Sequence, residues 1–237
     1  AGVSSSDMIT TVSPTYAHEI QTAEGGFGMD GLLRARTDVI KGILNGADLR
    51  QWNPEIDKKI PETYSARSMA GKAKCKEELQ KKMGLEVNPD IPVIGIVTRL
   101  VDQKGIAEIF APTYGSIYQI CTDMKVQFAI LGSGESWCEN EICALQSKLP
   151  NLRAYIGYDD ALSHLIEAGS DFFLMPSKYE PCGLNQIYSM LYGTLPIVRK
   201  TGGLADTVDN YNQQTGEGTG FVFEQLTPRA IYDTVGW

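Results

Sequence analysis

Short apolar, β-branched runs alternate along the chain with segments of helical length. Five of these runs are nearly continuous in apolar character, as expected for strands covered on both faces: residues 91–100, 125–134, 152–158, 171–177 and 194–200. The segments between them have helical composition: residues 106–124, 136–149, 160–170 and 183–193. This alternation predicts an α/β fold, a Rossmann-like parallel sheet with helices on both faces.

The first 84 residues follow a less regular pattern. Residues 8–20 predict a strand that runs into a helix, and residues 25–35 predict a glycine-rich loop. Residues 42–57 predict a strand followed by a turn at Asn45-Gly46. Residues 58–84 are a charged segment whose second half predicts a helix that stops at Gly84. We interpret residues 1–40 as the end of a preceding domain with a crossover segment. Residues 41–237 then form the Rossmann-like domain.

Composition and charge narrow the classes of function. Of the 237 residues, 43% are apolar and 21% are charged, as in ordinary globular proteins, which excludes a disordered or low-complexity chain. The formal net charge of −8 argues against a protein that coats nucleic acid or an anionic membrane. No apolar run approaches the roughly 18 residues of a membrane span, so we expect none. An anionic ligand must therefore be held by a few placed cations and backbone amides.

The cysteines and histidines do not form a metal-binding pattern. The five cysteines are odd in number and include no CxxC pair, and only two histidines accompany them. We therefore expect no zinc site, no disulfide scaffold, and reduced thiols in a cytosol-like compartment: Cys75, Cys121, Cys138, Cys143 and Cys182. The N-terminus has neither the basic region of a signal peptide nor an initiator methionine.

Candidate chemistry lies where the predicted strands end, because ligands of open parallel sheets bind beyond the carboxyl ends of the strands. Arg99 and Lys104 follow the first strand of the sheet, and a guanidinium beside an ammonium suits a diphosphate. The alternative is a pair of solvated loop cations. Gly132 and Gly134 follow the second strand and would let the backbone approach a ligand, although such glycines also make ordinary turns.

Two later strand ends combine cations with glycines. Lys178 and Glu180 occupy the loop after the fourth strand, and Gly183 opens a helix whose free amides could receive an anion. A carboxylate at that place suits sugar hydroxyls or a developing positive charge. The next connection repeats the arrangement with Arg199, Lys200, Thr201, Gly202 and Gly203. The alternative is that these glycines and lysines only make turns.

The motifs VTRLVDQKG, IGY, PSKYEPCGL and RKTGGLADTV resemble the C-terminal half of bacterial glycogen synthases and plant starch synthases. The segments TVSPTYAHEI, GMDGLLRAR and GILNGADLRQWNPEID resemble that family's crossover between its N- and C-terminal domains, so the resemblance covers essentially the whole chain. The family consists of retaining glucosyltransferases of the two-domain GT-B architecture, which extend an α-1,4-glucan with glucose from a nucleotide sugar. The resemblance implies that this chain is the C-terminal, donor-binding domain of such an enzyme.

The resemblance also implies roles for individual residues. Arg99 and Lys104 would hold the donor diphosphate, Glu180 would orient the transferred glucose, and Tyr158 would stack on the base. Further donor contacts are implied at Asn45, Gly132, Cys182, Gly183, Leu184, Thr201, Gly202 and Gly203. The partners would be a nucleotide-sugar donor and an α-glucan acceptor, with no metal or other cofactor.

Two departures from the family pattern affect this interpretation. Many GT-B enzymes carry a second glutamate eight positions after the first, where Tyr188 stands here; glycogen and starch synthases commonly share that change. Most of the N-terminal domain, with its histidine and first glycine loop, has no counterpart, and the chain stops at Trp237 before the final crossover helix. We therefore expect a fragment that binds nucleotide but does not catalyse transfer.

Several alternatives stay open. A nucleotide-dependent dehydrogenase would need the motif GxGxxG where VTRLVDQKG stands. A GT-B epimerase would be distinguished by its product, because it would release free sugar. A non-catalytic glucan-binding module would expose a platform of tryptophans, whereas the tryptophans of this chain are dispersed at Trp52, Trp137 and Trp237. Tyr158 could be a core aromatic and Cys182 a buried small residue. His18 and His164 suggest helix surface rather than catalysis. The sequence does not decide between ADP- and UDP-glucose, although the family favours ADP-glucose, nor between bacterial cytoplasm and plastid stroma.

Overall fold

The computed structural model describes residues 2–237. Its strands are β1 (Ile9–Thr11), β2 (Ile40–Gly42), β3 (Val93–Leu100), β4 (Gln127–Gly134), β5 (Leu152–Ile156), β6 (Phe172–Met175), β7 (Leu195–Arg199) and β8 (Phe221–Phe223). Its α-helices are α1 (Gly2–Ser5), α2 (Pro14–Glu19), α3 (Asp30–Arg34), α4 (Ala70–Met83), α5 (Ile106–Phe110), α6 (Ser116–Asp123), α7 (Ser136–Lys148), α8 (Asp160–Gly169), α9 (Asn185–Leu191), α10 (Gly202–Thr207) and α11 (Pro228–Gly236).

The strands from β3 onward form one parallel sheet in the order β5-β4-β3-β6-β7-β8, while β1 and β2 pair in a separate parallel ribbon. Starting from β3, the strands follow chain order outward on each side, with β4 and β5 on one side and β6, β7 and β8 on the other. The topological switch point, where such sheets open a crevice for ligands, therefore lies between β3 and β6.

Alternate residues of the central strands face two separate cores. Ile94 and Ile96 pack with α5, α6, α7 and α11, whereas Val93 and Phe173 pack with α4 and α8 on the opposite face. Both faces of the strands are covered, which explains why their apolar runs are continuous rather than alternating. The predicted fold class, a parallel sheet with helices on both faces, is confirmed.

Two predicted elements are wrong in extent. The single helix expected over residues 106–124 is divided into α5 and α6, because Pro112 lacks an amide hydrogen and forces Ala111 into an extended conformation with ψ 132°. The strand expected within residues 42–57 ends at Gly42. Its partner β1 has by then turned into α2, so no strand remains for the following residues to pair with.

Most of the remaining N-terminal predictions agree with the structure. β1 leads into α2, and α4 ends at Gly84, whose φ of 70° is the left-handed conformation that glycine adopts easily. The glycine-rich loop differs in one respect, because its end forms the one-turn helix α3 with an ion pair of 2.7 Å between Arg34 and Asp30. The division of the chain at residue 40 stays a prediction.

Helices α2 and α10 cap each other. Asp206, in the last turn of α10, accepts hydrogen bonds from the backbone amide of Thr15 at 2.8 Å and from its hydroxyl at 2.6 Å. Glu19, at the end of α2, accepts from the hydroxyl of Thr201 and from the amide of Gly202, both at 2.9 Å. A carboxylate stabilises a helix N-terminus through both the hydrogen bond and the helix dipole. Residues 13–19 are therefore fixed to helix α10 by two reciprocal caps.

Candidate functional site

The parallel sheet brings the predicted site residues to one edge. Arg99 lies at the end of β3, Gly132 near the end of β4, Tyr158 two residues after β5, and Glu180 in the loop after β6. In the register of the sheet, Thr98 is opposite Gly132 and Arg99 is opposite Ser133. This is the carboxyl edge, where the switch point between β3 and β6 opens the crevice.

Lys104, which is half-buried, and Glu180, which is buried, form an ion pair at the switch point. The Nζ of Lys104 lies 2.5 Å from Oε2 of Glu180, and the hydroxyl of Ser177 donates to the same oxygen at 3.0 Å. Their side chains are only 18% and 8% exposed, so this pair is largely shielded from water. Gly105 makes the approach possible: its φ is 68°, and a Cβ there would lie 2.1 Å from the carbonyl oxygen of Pro176.

Arg99 lies at the same edge of the sheet as this pair and is exposed. Its guanidinium donates to Oε1 of Gln103 at 3.3 Å and makes no ion pair with any residue from 2 to 237. Gln103 in turn donates to the carbonyl oxygen of Tyr179 at 3.2 Å, which ties the loop after β3 to the loop after β6. A guanidinium without an ion-pair partner, at the same edge of the sheet as the Lys104 ammonium, can receive a diphosphate.

The loop after β6 places backbone amides beside Glu180. Cys182 is buried, which agrees with its interpretation as a small packed residue, and Gly183 has a φ of 72°. The helix begins at Asn185, two residues later than predicted, with Leu184 at its N-cap position. Within the described part of the chain no side chain caps α9, so its first amides are free to donate hydrogen bonds to an anionic or hydroxyl-bearing ligand.

The phosphate-binding role expected for Thr201, Gly202 and Gly203 stays a prediction, and the structure shows which groups of the protein these residues contact. The carboxylate of Glu19 already receives the Thr201 hydroxyl and the Gly202 amide, and the Gly203 amide donates to the carbonyl oxygen of Glu180 at 3.0 Å. A Cβ at Gly202 would lie 2.0 Å from that same oxygen, and one at Gly203 would lie 2.1 Å from the carbonyl oxygen of Cys182. The glycines are thus required for two loops to pack. The anionic group that this loop contacts is the carboxylate of Glu19.

The remaining implied donor contacts lie at the rim. Tyr158 is 86% exposed, so the alternative of a core aromatic is wrong, and its ring is free to stack on a base. Asn45 is exposed in a stretch without regular structure and forms no hydrogen bond within residues 2–237. At Gly132 a Cβ would lie 2.1 Å from the carbonyl oxygen of Thr98, so this glycine serves strand packing at least as directly as ligand approach.

His164, predicted to be a surface residue, is only 1% exposed, whereas His18 is exposed as expected. The Nδ1 of His164 lies 2.7 Å from Oδ2 of Asp57, which also accepts from the hydroxyl of Tyr192 at 2.5 Å. Burial opposes the charge of Asp57, yet these hydrogen bonds together lower its pKa. The network is structural: it fastens residues 57–64 to α8 and to the end of α9.

Trp52 is the centre of a stack that sequence analysis missed. Its ring lies 3.8 Å from that of His164 and 4.0 Å from that of Tyr188, nearly parallel to both. Tyr188 stands eight positions after Glu180. The stack anchors the segment after Asn45 to α9, the helix that follows the loop carrying Glu180. The sequence feature that could have indicated this stack is a tryptophan followed by Asn-Pro in an otherwise polar stretch.

A fully buried carboxyl lies beneath α9. Oε2 of Glu167 accepts from the hydroxyl of Ser189 at 2.6 Å, while Oε1 has no partner among residues 2–237. Burial raises the pKa of Glu167 to about 8, against the lowering effects of Ser189, Lys72 and the nearby side chain of Asn185. Lys72 donates to the carbonyl oxygen of Ala168 and the hydroxyl of Thr194, and burial lowers the pKa of Lys72 to about 8.

Residues 2–237 contain neither a metal-binding cluster nor a membrane-spanning helix. No group of three or more histidine, cysteine, aspartate or glutamate side chains is arranged to hold a metal ion. No helix in that range is both long and apolar enough to cross a membrane.

Comparison with known proteins gives concordant matches. The family model described as glycosyl transferases group 1 matches residues 77–236, and the starch synthase catalytic domain model matches residues 1–35. The glycogen synthase of Treponema denticola is 63% identical over all 237 residues, and glycogen synthase 1 of Geobacter metallireducens is 48% identical over the same length. The chain spans about half of these relatives, 48% and 46% of their lengths.

A solved structure matches the fold closely. The catalytic domain of starch synthase IV from Arabidopsis thaliana, bound to ADP and acarbose, superposes with a TM-score of 0.89 at 38% identity. The match covers 98% of this chain and 48% of that one.

Proposed function

Because the chain belongs to the group 1 glycosyltransferases and matches bacterial glycogen synthases along its whole length, we propose that it is the donor-binding half of a glycogen synthase. The whole protein would transfer glucose from ADP-glucose to the non-reducing end of an α-1,4-glucan with retention of configuration. The observation that carries this proposal is the Lys104–Glu180 pair at the switch point of the sheet, with Arg99 at the same edge.

The chemistry follows from these three side chains. When the bond between glucose and the diphosphate breaks, negative charge develops on the leaving phosphate, and Arg99 with Lys104 would stabilise it. The free amides at the start of α9 would add to that stabilisation. Glu180, held by Lys104 and Ser177, would accept hydrogen bonds from glucose hydroxyls and orient the sugar. We propose that no metal or further cofactor takes part.

ADP is the nucleotide we propose, since the matching starch synthase IV structure is bound to ADP. Tyr158 would stack on the adenine. Given bacterial relatives and a nucleotide-sugar donor, we place the whole protein in the bacterial cytoplasm. Direct competition of ADP against UDP in a calorimetric titration tests the choice of nucleotide.

We further propose that an N-terminal domain completes the cleft. Large apolar side chains are exposed throughout the first 56 residues, including Met8, Met29, Ile43, Leu49 and Ile56, as on a surface that a second domain covers. Such a domain would supply the acceptor wall and exclude water on closure. Residues 1–40 would then be the crossover between the two domains.

Arg99→Ala should weaken ADP binding to the chain by about 1.5–3 kcal/mol, the scale of a charge-assisted hydrogen bond. The change removes an exposed guanidinium with one weak intramolecular contact, so the free energy of unfolding should hardly change. Calorimetry at fixed salt measures the affinity. Arg229→Ala, which removes an exposed arginine paired with Asp233 on α11, is the control and should bind ADP normally. Equal dissociation constants for Arg99→Ala and the unaltered chain would remove Arg99 from the site.

The isolated chain should bind ADP yet show no glucan elongation when incubated with ADP-glucose and glycogen. Its phosphate contacts lie within this domain, whereas the orientation that two walls provide together contributes up to roughly 7–11 kcal/mol to such reactions. Radiolabelled glucose incorporated into glycogen measures the transfer. Elongation by the chain alone, or no ADP binding at millimolar nucleotide, would contradict the proposal.

A further inference from the structure

A pocket of about 480 Å³ lies at the amino edge of the sheet, the edge opposite to the candidate donor site. Its walls come from α4, from the end of α8 and from the segments that lead into β3 and β6. We call it the α4 pocket; its walls include Lys72, Ala73, Lys76, Val87, Pro89 and Asp171. Its size is within the roughly 300–1,000 Å³ typical of small-molecule sites.

Two half-buried lysines, Lys72 and Lys76, line the α4 pocket. They are four residues apart on α4 and therefore share one face of the helix. The Nζ of Lys72 donates to the carbonyl oxygen of Ala168 at 3.0 Å and to the hydroxyl of Thr194 at 2.7 Å. An ammonium group has three donors, so one N–H of Lys72 has no hydrogen-bond acceptor among residues 2–237.

Lys76 is in the same situation. Its Nζ donates to the carbonyl oxygen of Pro89 at 2.8 Å and lies 2.8 Å from Oδ2 of Asp171. That carboxylate oxygen also accepts from the backbone amide of Val93 at 2.7 Å, so Asp171 is tied to the start of β3 as well as to the lysine. Within the described part of the chain Lys76 too keeps one N–H for a ligand.

The charge balance around these lysines is positive at pH 7. Burial lowers the pKa of Lys72 to about 8, so the lysine still carries its proton. Burial raises the pKa of Glu167 to about 8 and also raises the pKa of the Cys75 thiol, so both of these neighbours are neutral. The carboxylate of Asp171 alone opposes the two ammonium groups of Lys72 and Lys76. The pocket therefore has one positive charge in excess, although the whole chain carries a net charge of −8.

The rest of the α4 pocket adds apolar surface rather than charge. The other charged side chains at its walls are paired, Lys74 with Glu62 and Glu77 with Lys81. The remaining walls are mostly apolar and come from Met69, Ala73, Val87, Pro89 and Gly169. Such a pocket suits a ligand with a single negative charge and an apolar body. A phosphate monoester carries about −1.5 to −2 at pH 7 and would exceed the charge of the pocket, whereas a carboxylate matches it.

We propose that the α4 pocket binds a small monocarboxylate with an apolar body, whose carboxylate accepts hydrogen bonds from Lys72 and Lys76. Hydrogen bonds between ammonium and carboxylate groups are charge-assisted and stronger than those between neutral groups. The apolar body of the ligand would pack against the aliphatic walls between α4 and the segment before β3. Because this pocket and the donor site lie at opposite edges of the sheet, the two ligands should bind together without competition.

Titration of benzoate into the 237-residue chain at pH 7 and fixed ionic strength, followed by NMR, tests the proposal. Benzamide, which has the same shape without the charge, should bind at least tenfold more weakly, and phenyl phosphate should also bind more weakly than benzoate. Lys76→Met should raise the dissociation constant for benzoate at least tenfold. Lys82→Met, which removes an exposed charge from the same helix, is the control and should bind benzoate normally.

A second pair of variants leaves both lysines in place. Ala73 is an exposed residue of α4 at the wall of the pocket, so its substitution should not prevent folding. Ala73→Glu adds a carboxylate next to Lys72 and should weaken benzoate binding about tenfold, because it cancels the excess positive charge. Ala73→Gln adds a side chain of the same size without the charge and should bind benzoate nearly as the unaltered chain does.

The outcomes separate this proposal from the proposed function. No saturable binding at millimolar benzoate, or equal affinities of Ala73→Glu and Ala73→Gln, would overturn the α4 pocket and leave the donor site intact. Benzamide that binds as tightly as benzoate would overturn the assignment to an anion, and tighter binding of phenyl phosphate would overturn the assignment to a monocarboxylate. Displacement of benzoate by ADP would place benzoate in the donor site and contradict the proposal. Benzoate binding that depends on Lys76 in a chain that does not bind ADP supports the α4 pocket and contradicts the proposed donor site.

Discussion

Lys104→Ala should lower the free energy of unfolding by about 3–5 kcal/mol and abolish glucosyl transfer in the full-length protein. Removing one partner of a buried ion pair leaves the other charge uncompensated, and the Glu180 side chain that remains is only 8% exposed. The same substitution removes a cation from the diphosphate site, so ADP affinity should fall as well. Urea denaturation of the chain and an ADP titration measure the two effects.

A double variant separates the effect of losing the ion pair from the effect of leaving the Glu180 carboxylate uncompensated. If the uncompensated carboxylate causes most of the instability, Lys104→Ala/Glu180→Gln should be more stable than Lys104→Ala alone. Glu180→Gln by itself should leave ADP affinity nearly intact while reducing transfer. Lys178→Ala is the control: its pair with Asp102 is 35% and 67% exposed, and such pairs contribute about 1 kcal/mol at most. Equal losses for Lys104→Ala and Lys178→Ala would show that the buried pair has no special role.

The sheet and one half of the site could be predicted because they depend on local signals. Continuous apolar runs fixed the strands, and parallel topology then required Arg99, Lys104 and Glu180 to meet at one edge. The pairing of Lys104 with Glu180 spans 76 residues, yet the rule about strand ends was sufficient to find both.

The other half of the site depends on contacts that no local pattern encodes. Glu19 contacts the loop at Thr201 and Gly202 across 182 and 183 residues, a helix cap that no local pattern in the sequence indicated. His164 is buried because Asp57, 107 residues earlier, and the ring of Trp52 meet it. In each case the contact depends on tertiary packing, which the residue type alone does not reveal.

The stability of the chain should fall by about 1 kcal/mol for each pH unit between roughly pH 5 and pH 8, because of Glu167. Its pKa is raised by burial from 4.5 to about 8, so the native state keeps this proton over an interval in which the unfolded chain releases it. The native state therefore binds more protons, and the free energy of unfolding decreases as the pH rises. The stabilisation is complete below the unfolded pKa and lost above the folded one.

Glu167→Gln should remove this slope, because an amide is neutral at every pH and its oxygen can still accept from Ser189. Glu224→Gln, which changes an exposed carboxylate, is the control and should keep the slope. Lys72 titrates in the folded chain at about pH 8 rather than 10.5, so its effect begins above this interval and has the opposite sign. Urea denaturation at several pH values measures the free energy of unfolding of the wild-type chain, Glu167→Gln and Glu224→Gln.

A free energy of unfolding that rises from pH 5 to pH 8 in the wild-type chain, or falls as steeply in Glu167→Gln as in the wild-type chain, would show that Glu167 is ionised in the folded protein. A neutral Glu167 is what allows α9, with the donor loop at its N-terminus, to pack directly over a buried carboxyl.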